Sequence, residues 1–145
     1  MFVENLKETL SLGEKLSQKL NPQSIVLLKG PIGAGKTSLV QGIAKGLSIS
    51  EDIPSPTFAL SHHYGSGKIP LIHLDLYRLK DASSAKEVYF SEEEEALQSK
   101  AILVIEWPEL IQPLIKDFWK IEISYAKNYG RNYLIRDPKN LLTFS

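Results

Sequence analysis

Cysteine is absent from this chain of 145 residues. Disulfide staples, cysteine-ligated metal sites and thiol catalysis are therefore excluded. A basic excess is absent as well: Lys plus Arg number 17, Asp plus Glu number 17, and the formal charge is zero. A protein that grips a nucleic-acid backbone by itself usually carries such an excess, so the balance argues against directly held RNA or DNA. No stretch approaches the ~18 apolar residues that span a bilayer. The opening "MFVENLKETL" mixes charge and apolarity and has no apolar signal core, so the expected location is cytoplasmic. Internal repeats, linkers and low-complexity tails are also missing. Length and an ordinary 43% of hydrophobic residues fit one domain, residues 1–145, around one core.

The patterning that is present alternates between helix and strand. Leu6, Leu10, Gly13, Leu16 and Leu20 recur at three- and four-residue steps, which predicts an amphipathic helix ending near Asn21-Pro22. "SIVLLKG" reads as a buried strand running into a glycine. Leu39, Val40, Ile43, Ala44 and Leu47 mark the face of a second helix, and "SISEDIPSPT" breaks both periodicities as a loop. "FALSHHY" predicts a strand. In "IPLIHLDLY", Ile72, Leu74 and Leu76 alternate with His73, Asp75 and Tyr77 as a strand requires. "SEEEEALQ" predicts a helix start with Ser91 as N-cap and Glu94 closing a capping box. "AILVIE" is an apolar run closed by an acid, and "FWKIEISY" with "YLIRD" predicts a terminal hairpin. The order predicts an α/β fold with three layers: a mixed, largely parallel central sheet, helices outside, and antiparallel terminal strands.

One motif carries chemistry without a mismatch. Gly30, Gly35, Lys36 and Thr37 fit G-x-x-x-x-G-K-[ST], between an apolar strand and a helix. Glycines let the backbone curl so that successive N–H groups face one anion, and a helix start adds its positive dipole end. The segment Gly33, Ala34, Gly35, Lys36, Thr37 and Ser38 is thus the expected phosphate cradle. Lys36 would reach the β- and γ-phosphates, and the Thr37 hydroxyl would ligate Mg2+.

Such a cradle usually works with an acid at the end of a buried strand, where open α/β sheets bind ligands. Glu106 closes "AILVIE" and Asp75 closes "IPLIHLD". Glu106 follows the more apolar run and is the favoured metal-side acid. Asp75 is then the candidate that orients the attacking water, although spacing alone also allows the roles to be exchanged. Ser55 and Thr57 lie in "SPTF", where many nucleotide switches sense the γ-phosphate. The remaining polar residues have plainer readings. His62, His63 and His73 do not form a metal set; His73 shares a face with Asp75, as polar support or as packing. Glu92 to Glu95 read as a solvated helix face with docking as the alternative. Trp119 and Phe118 read as core or sheet cover. Arg78 and Arg131 are each open between a phosphate contact and an ion pair.

In combination, "GPIGAGKTS", "SPTF", "HLDLYRL" and "IEWPEL" resemble the TsaE (YjeE) family, the ATPase of tRNA threonylcarbamoyladenosine biosynthesis. "ETLSLGEKL" resembles the family's opening helix and "GRNYLI" its last strands, so the resemblance spans nearly the whole chain. It implies a compact P-loop ATPase that takes ATP and Mg2+, slow alone and stimulated by the threonylcarbamoyl-transferase pair TsaD and TsaB. The modification falls on adenosine 37 of tRNA, and the partner pair would hold the tRNA. By position, the resemblance assigns the phosphates to the cradle and Mg2+ to Thr37 and Glu106. It makes Asp75 catalytic with Lys36, Ser55 and Thr57 a switch-like loop, and Trp107 a neighbour of the nucleotide. Adenine contacts would come from Thr9 and Gly130. This chain departs from the family at Pro31-Ile32, at Ser38, and at "KEVYFSEEEEAL".

Two other functions compete on the same cradle. A small-molecule kinase would need a mobile lid with arginines, and the few arginines here are scattered. A nucleotide-binding module without catalysis would keep the cradle alone. A GTPase is disfavoured, because no N-K-x-D guanine-reading motif occurs.

Overall fold

The computed structural model describes residues 1–53 and 60–144. Its strands are β1 (Phe2–Val3), β2 (Ile25–Lys29), β3 (Ser61–Tyr64), β4 (Leu71–Asp75), β5 (Ile102–Glu106), β6 (Trp119–Tyr125), β7 (Arg131–Arg136) and β8 (Leu142–Thr143). The helices are α1 (Leu6–Ser17), α2 (Lys36–Gly46) and α3 (Ala82–Ser99). All strands join one sheet in the order β1-β7-β6-β2-β5-β4-β3, with β8 also on β7. The centre is parallel: β2 pairs with both β5 and β6, and β4 with β5. The outer pairings, β3 on β4, β7 on β6, β1 on β7 and β8 on β7, are antiparallel. This is the mixed three-layer α/β architecture expected from the sequence, with the predicted terminal hairpin formed by β6 and β7.

Strand alternation assigns each face its own core. Val26, Leu28, Ile102, Val104, Ile121 and Ile123 pack with α1 and α2. Leu27, Ile72, Leu74, Leu103 and Ile105 pack with α3 on the other side. Helices α1 and α2 approach closely because glycines meet at their crossing. A Cβ on Gly42 would fall 2.5 Å from the Leu10 carbonyl oxygen, and one on Gly13 would fall 2.7 Å from that of Leu39. Helix α1 starts on Asn5, whose side chain accepts from Glu8 N at 3.0 Å, while Glu8 accepts in return from Glu4 N at 2.8 Å.

Helix α3 corrects the reading of "SEEEEALQ". Its N-cap is Asp81, which accepts from Ser84 N at 2.8 Å, and Ser91 is an exposed residue in mid-helix. A serine followed three residues later by glutamate satisfies the cap pattern locally. The helix is instead set by Ala85, Tyr89 and Ala96, which it buries against the sheet. The acidic run is only partly a solvated face. Glu94 and Glu95 are exposed, but Glu92 accepts from Ser61 at 3.3 Å and bonds His63 at 2.6 Å, and Glu93 accepts from Tyr89 at 2.5 Å. Trp119 is buried in β6. Strands β1 and β8, two residues each, escaped the sequence reading because a pair of residues carries no periodicity. Among the described residues, no helix is long and apolar enough to cross a membrane.

Candidate functional site

The parallel register brings the carboxyl ends of the central strands to one place. Leu28 of β2 aligns with Glu106 of β5, and Glu106 aligns with Asp75 of β4. The loop leaving β2 curls beside them. Gly33 (φ +80°) and Gly35 (φ +109°) adopt backbone conformations that L side chains rarely take. Gly35 stands at the start of α2, and no side chain caps that start. The first-turn N–H groups therefore face outward with the positive end of the helix dipole. Glycine at these two positions is thus a geometric requirement of the curl.

The curl is held from the antiparallel side of the sheet. Tyr125 donates from its hydroxyl to the Ile32 carbonyl at 2.7 Å. Arg131 donates from Nε to Ala34 O at 3.1 Å and from Nη2 to Gly33 O at 3.4 Å. The guanidinium also bonds Tyr129 O at 2.7 Å and Gly130 O at 3.0 Å, and it lies 4.6 Å from the Tyr125 ring centroid. For Arg131 the structure adds a role beside the two left open: it bonds main-chain carbonyls of the cradle. Sequence reasoning missed Tyr125 and this use of Arg131. Neither is near the motif in the chain, and only the β6–β7 hairpin brings them to it.

A cleft of about 520 Å³ opens over the cradle. Gly33, Gly35, Lys36, Thr37 and Ser38 line one wall; Asp75, Glu106, Trp107, Tyr77 and Arg78 line the other. Lys36 is 7% exposed and donates to the carbonyl oxygen of Gly30. Its ammonium lies 3.9 Å from the Trp107 ring centroid. Burial pulls the Lys36 ammonium below the ordinary lysine range, against the opposing pull of Glu106, Asp75 and Glu109. Burial pushes the Asp75 carboxyl above its usual range, and the nearby Glu106 adds to this. A bond from Tyr77 N to Asp75 Oδ1 at 2.9 Å, together with His73 and Lys36, works the other way. Trp107 takes a left-handed conformation (φ 56°, ψ 58°), uncommon for a bulky residue, and packs on Tyr77 with ring centroids 4.8 Å apart. Trp107 is one of several non-glycine residues with positive φ, and it takes that conformation where its indole covers the lysine.

A second cavity of about 190 Å³ lies behind the cradle and shares Gly33, Gly35 and Ser38 with the first. Thr9, Asn5, Tyr129 and Arg131 are among its other walls. The Thr9 hydroxyl is 3.3 Å from that of Tyr133. Gly130 packs against Phe2, where a Cβ would stand 2.4 Å from the ring, while its two chain neighbours face the cavity.

The structure thus brings Gly33, Gly35, Lys36, Thr37, Ser38, Asp75, Glu106 and Trp107 around one cleft, with buried Ala34 in the curl behind it. Thr9 is near the cradle's far side. Ser55 and Thr57 lie outside the described residues. The donor set suits a triphosphate with Mg2+: a glycine curl with main-chain donors, one ammonium, one hydroxyl, and carboxylates offering the oxygen ligands that a small hard cation prefers. Among the described residues, no group of three or more His, Cys, Asp or Glu side chains could hold a metal ion by itself. A magnesium that keeps waters and phosphate oxygens needs only one or two protein ligands.

A strand–cradle–helix unit with lysine and hydroxyl, facing acids at the ends of neighbouring parallel strands, defines the class as a P-loop NTPase fold. The crystal structure of Bacillus subtilis YdiB is similar, with a TM-score of 0.74 and 25% identity over 92% of this chain and 80% of that one. The family model described as "Threonylcarbamoyl adenosine biosynthesis protein TsaE" matches residues 3–133, and the chain belongs to the TsaE family. A tRNA threonylcarbamoyladenosine biosynthesis protein TsaE from Nostoc sp. is 47% identical over 135 residues, 90% of this chain and 81% of the relative. Its counterpart from Synechocystis sp. is 44% identical over 117 residues, 78% of this chain and 72% of the relative.

Proposed function

We propose that this chain binds ATP with Mg2+ in the cleft and hydrolyses it in support of N6-threonylcarbamoylation of adenosine 37 in tRNA. It would act in the cytoplasm with the TsaD–TsaB transferase pair. The observation that carries the reading is the convergence of cradle, lysine, hydroxyl and two strand-end acids on one cleft. Membership in the TsaE family supplies the pathway. The neutral overall charge fits a protein that leaves the tRNA to its partners.

Bound ATP would supply the β–γ phosphoanhydride: water adds to the γ-phosphorus as the bond to the bridging oxygen breaks, releasing ADP and phosphate, and a bound Mg2+ would supply neutralising charge. Main-chain N–H groups of residues 33–38 hold the phosphates, and Lys36 stabilises charge developing on the γ-phosphoryl. The Thr37 hydroxyl and the Glu106 carboxylate fix the metal side. Asp75 orients the water and accepts its hydrogen bond; a carboxyl pushed upward by burial is suited to that task. Thr9 and the wall beside Gly130 are on the side left for the base. Ser55 and Thr57 are assigned the switch role by their motif alone. A small-molecule kinase is the weaker reading, because the chain's arginines are scattered rather than gathered in a lid and Arg131 is bonded to cradle carbonyls.

The reading is tested with purified TsaD and TsaB. Hydrolysis by this chain alone should be slow, and it should rise severalfold when both partners are added. Affinity capture should retain the pair more strongly with ATP than without it. An unchanged rate together with no capture under either condition would remove the proposed role.

A further inference from the structure

We infer that His73 is a positioning residue for Glu106, fixing which carboxylate oxygen the metal side receives. This inference rests on the reading of Glu106 as the metal-side acid. His73 lies on β4 two residues before Asp75, and on the α1–α2 face of the sheet, because it aligns with Val104 of that core. Asp75 aligns with Glu106, so the His73 ring reaches diagonally across to the neighbouring strand. There its Nε2 meets Glu106 Oε2 at 2.5 Å. The two residues are 1% and 3% exposed.

A hydrogen bond from a ring N–H to a carboxylate is charge-assisted, and in a buried setting it has few competitors. It occupies Oε2. Among the described residues, no hydrogen bond engages Oε1, and the carboxylate lines the cleft. One oxygen is thereby tied to the sheet while the other is left without such a tie at the cleft that Glu106 lines. Outer partners of this kind set the orientation of a metal-side group. His73 Nδ1, in contrast, is buried without a partner among the described residues. A buried polar atom left without a partner carries a desolvation cost. An apolar residue would fill this core position without it, so the bond to Glu106 is what offsets that cost.

The inference is tested by a pair of amides. The amide nitrogen of glutamine falls near the place of histidine Nε2, and that of asparagine near Nδ1. His73→Asn should therefore lose the bond and His73→Gln should keep it. The readout is the Mg2+ concentration that half-saturates binding of a fluorescent ATP analogue, beside binding of the same analogue in a chelator. His73→Asn should raise the half-saturating Mg2+ about tenfold or more, the range for outer-partner loss, with chelator binding unchanged. His73→Gln should remain close to the wild type. Equal behaviour of the two variants, both shifted or both unshifted, overturns the inference. Glu106→Gln separates it from the reading beneath it. If Glu106→Gln raises the Mg2+ requirement and His73→Asn does not, only the positioning role fails. If Glu106→Gln has no effect, both fail. Should His73→Asn not fold, NMR of the 15N-histidine-labelled wild type decides. A slowly exchanging, downfield Nε2 proton that disappears in Glu106→Ala supports the bond, and its absence from the wild type overturns it.

Discussion

Lys36→Ala should lower the rate of ATP hydrolysis about 100- to 1,000-fold, the loss seen when a preorganised donor to developing charge is removed. The size follows from where the lysine is held. Its ammonium is buried under Trp107, with Glu106 and Asp75 close enough to oppose the effect of burial. In such a site a charge acts with little solvent screening. The variant should still fold with its cradle formed. Gly33 and Ala34 are held by Arg131, and Ile32 by Tyr125, and none of these bonds involves Lys36. Steady-state kinetics with circular dichroism as a control checks this. A folded variant with a normal rate would show that Lys36 is not the phosphate lysine.

Asp75→Asn should separate catalysis from stability. Hydrolysis should fall about 100- to 10,000-fold, the range for loss of a positioned proton acceptor. Stability should move the other way. Burial holds the folded-state pKa of Asp75 above its unfolded value. The stability linked to this group is therefore complete at pH below the unfolded value, about 3.9, and is lost as pH rises through the higher folded one. At pH 7 the ionised carboxylate weakens the fold, and asparagine removes that cost while its Oδ1 can still accept from Tyr77 N. The variant should melt above the wild type at pH 7, and the difference should vanish below about pH 4. A lower Tm at pH 7 with hydrolysis intact would contradict both assignments.

These two effects involve residues visible in the sequence, because their signals are local. The cradle is contiguous, and Asp75 and Glu106 each close a readable strand. Their alignment side by side was not readable, since it depends on β5 lying between β2 and β4. The hold of Tyr125 and Arg131 on the loop was hidden for the same reason: more than ninety residues separate each of them from the loop carbonyls it bonds, 93 for Tyr125 and 97 for Arg131 to Ala34. Helix α3 shows the opposite failure. A local cap pattern at Ser91 was present and irrelevant, because the apolar face beginning at Ala85 had already committed the chain to helix. His73 stood between support and packing until the strand register brought its ring to Glu106.

The most direct test is a crystal structure of the chain with a non-hydrolysable ATP analogue and Mg2+. The account predicts the triphosphate along residues 33–38, with the metal about 2.1 Å from the Thr37 hydroxyl and on the Glu106 side of the cleft. A triphosphate seated elsewhere, or a metal remote from both Thr37 and Glu106, would contradict it.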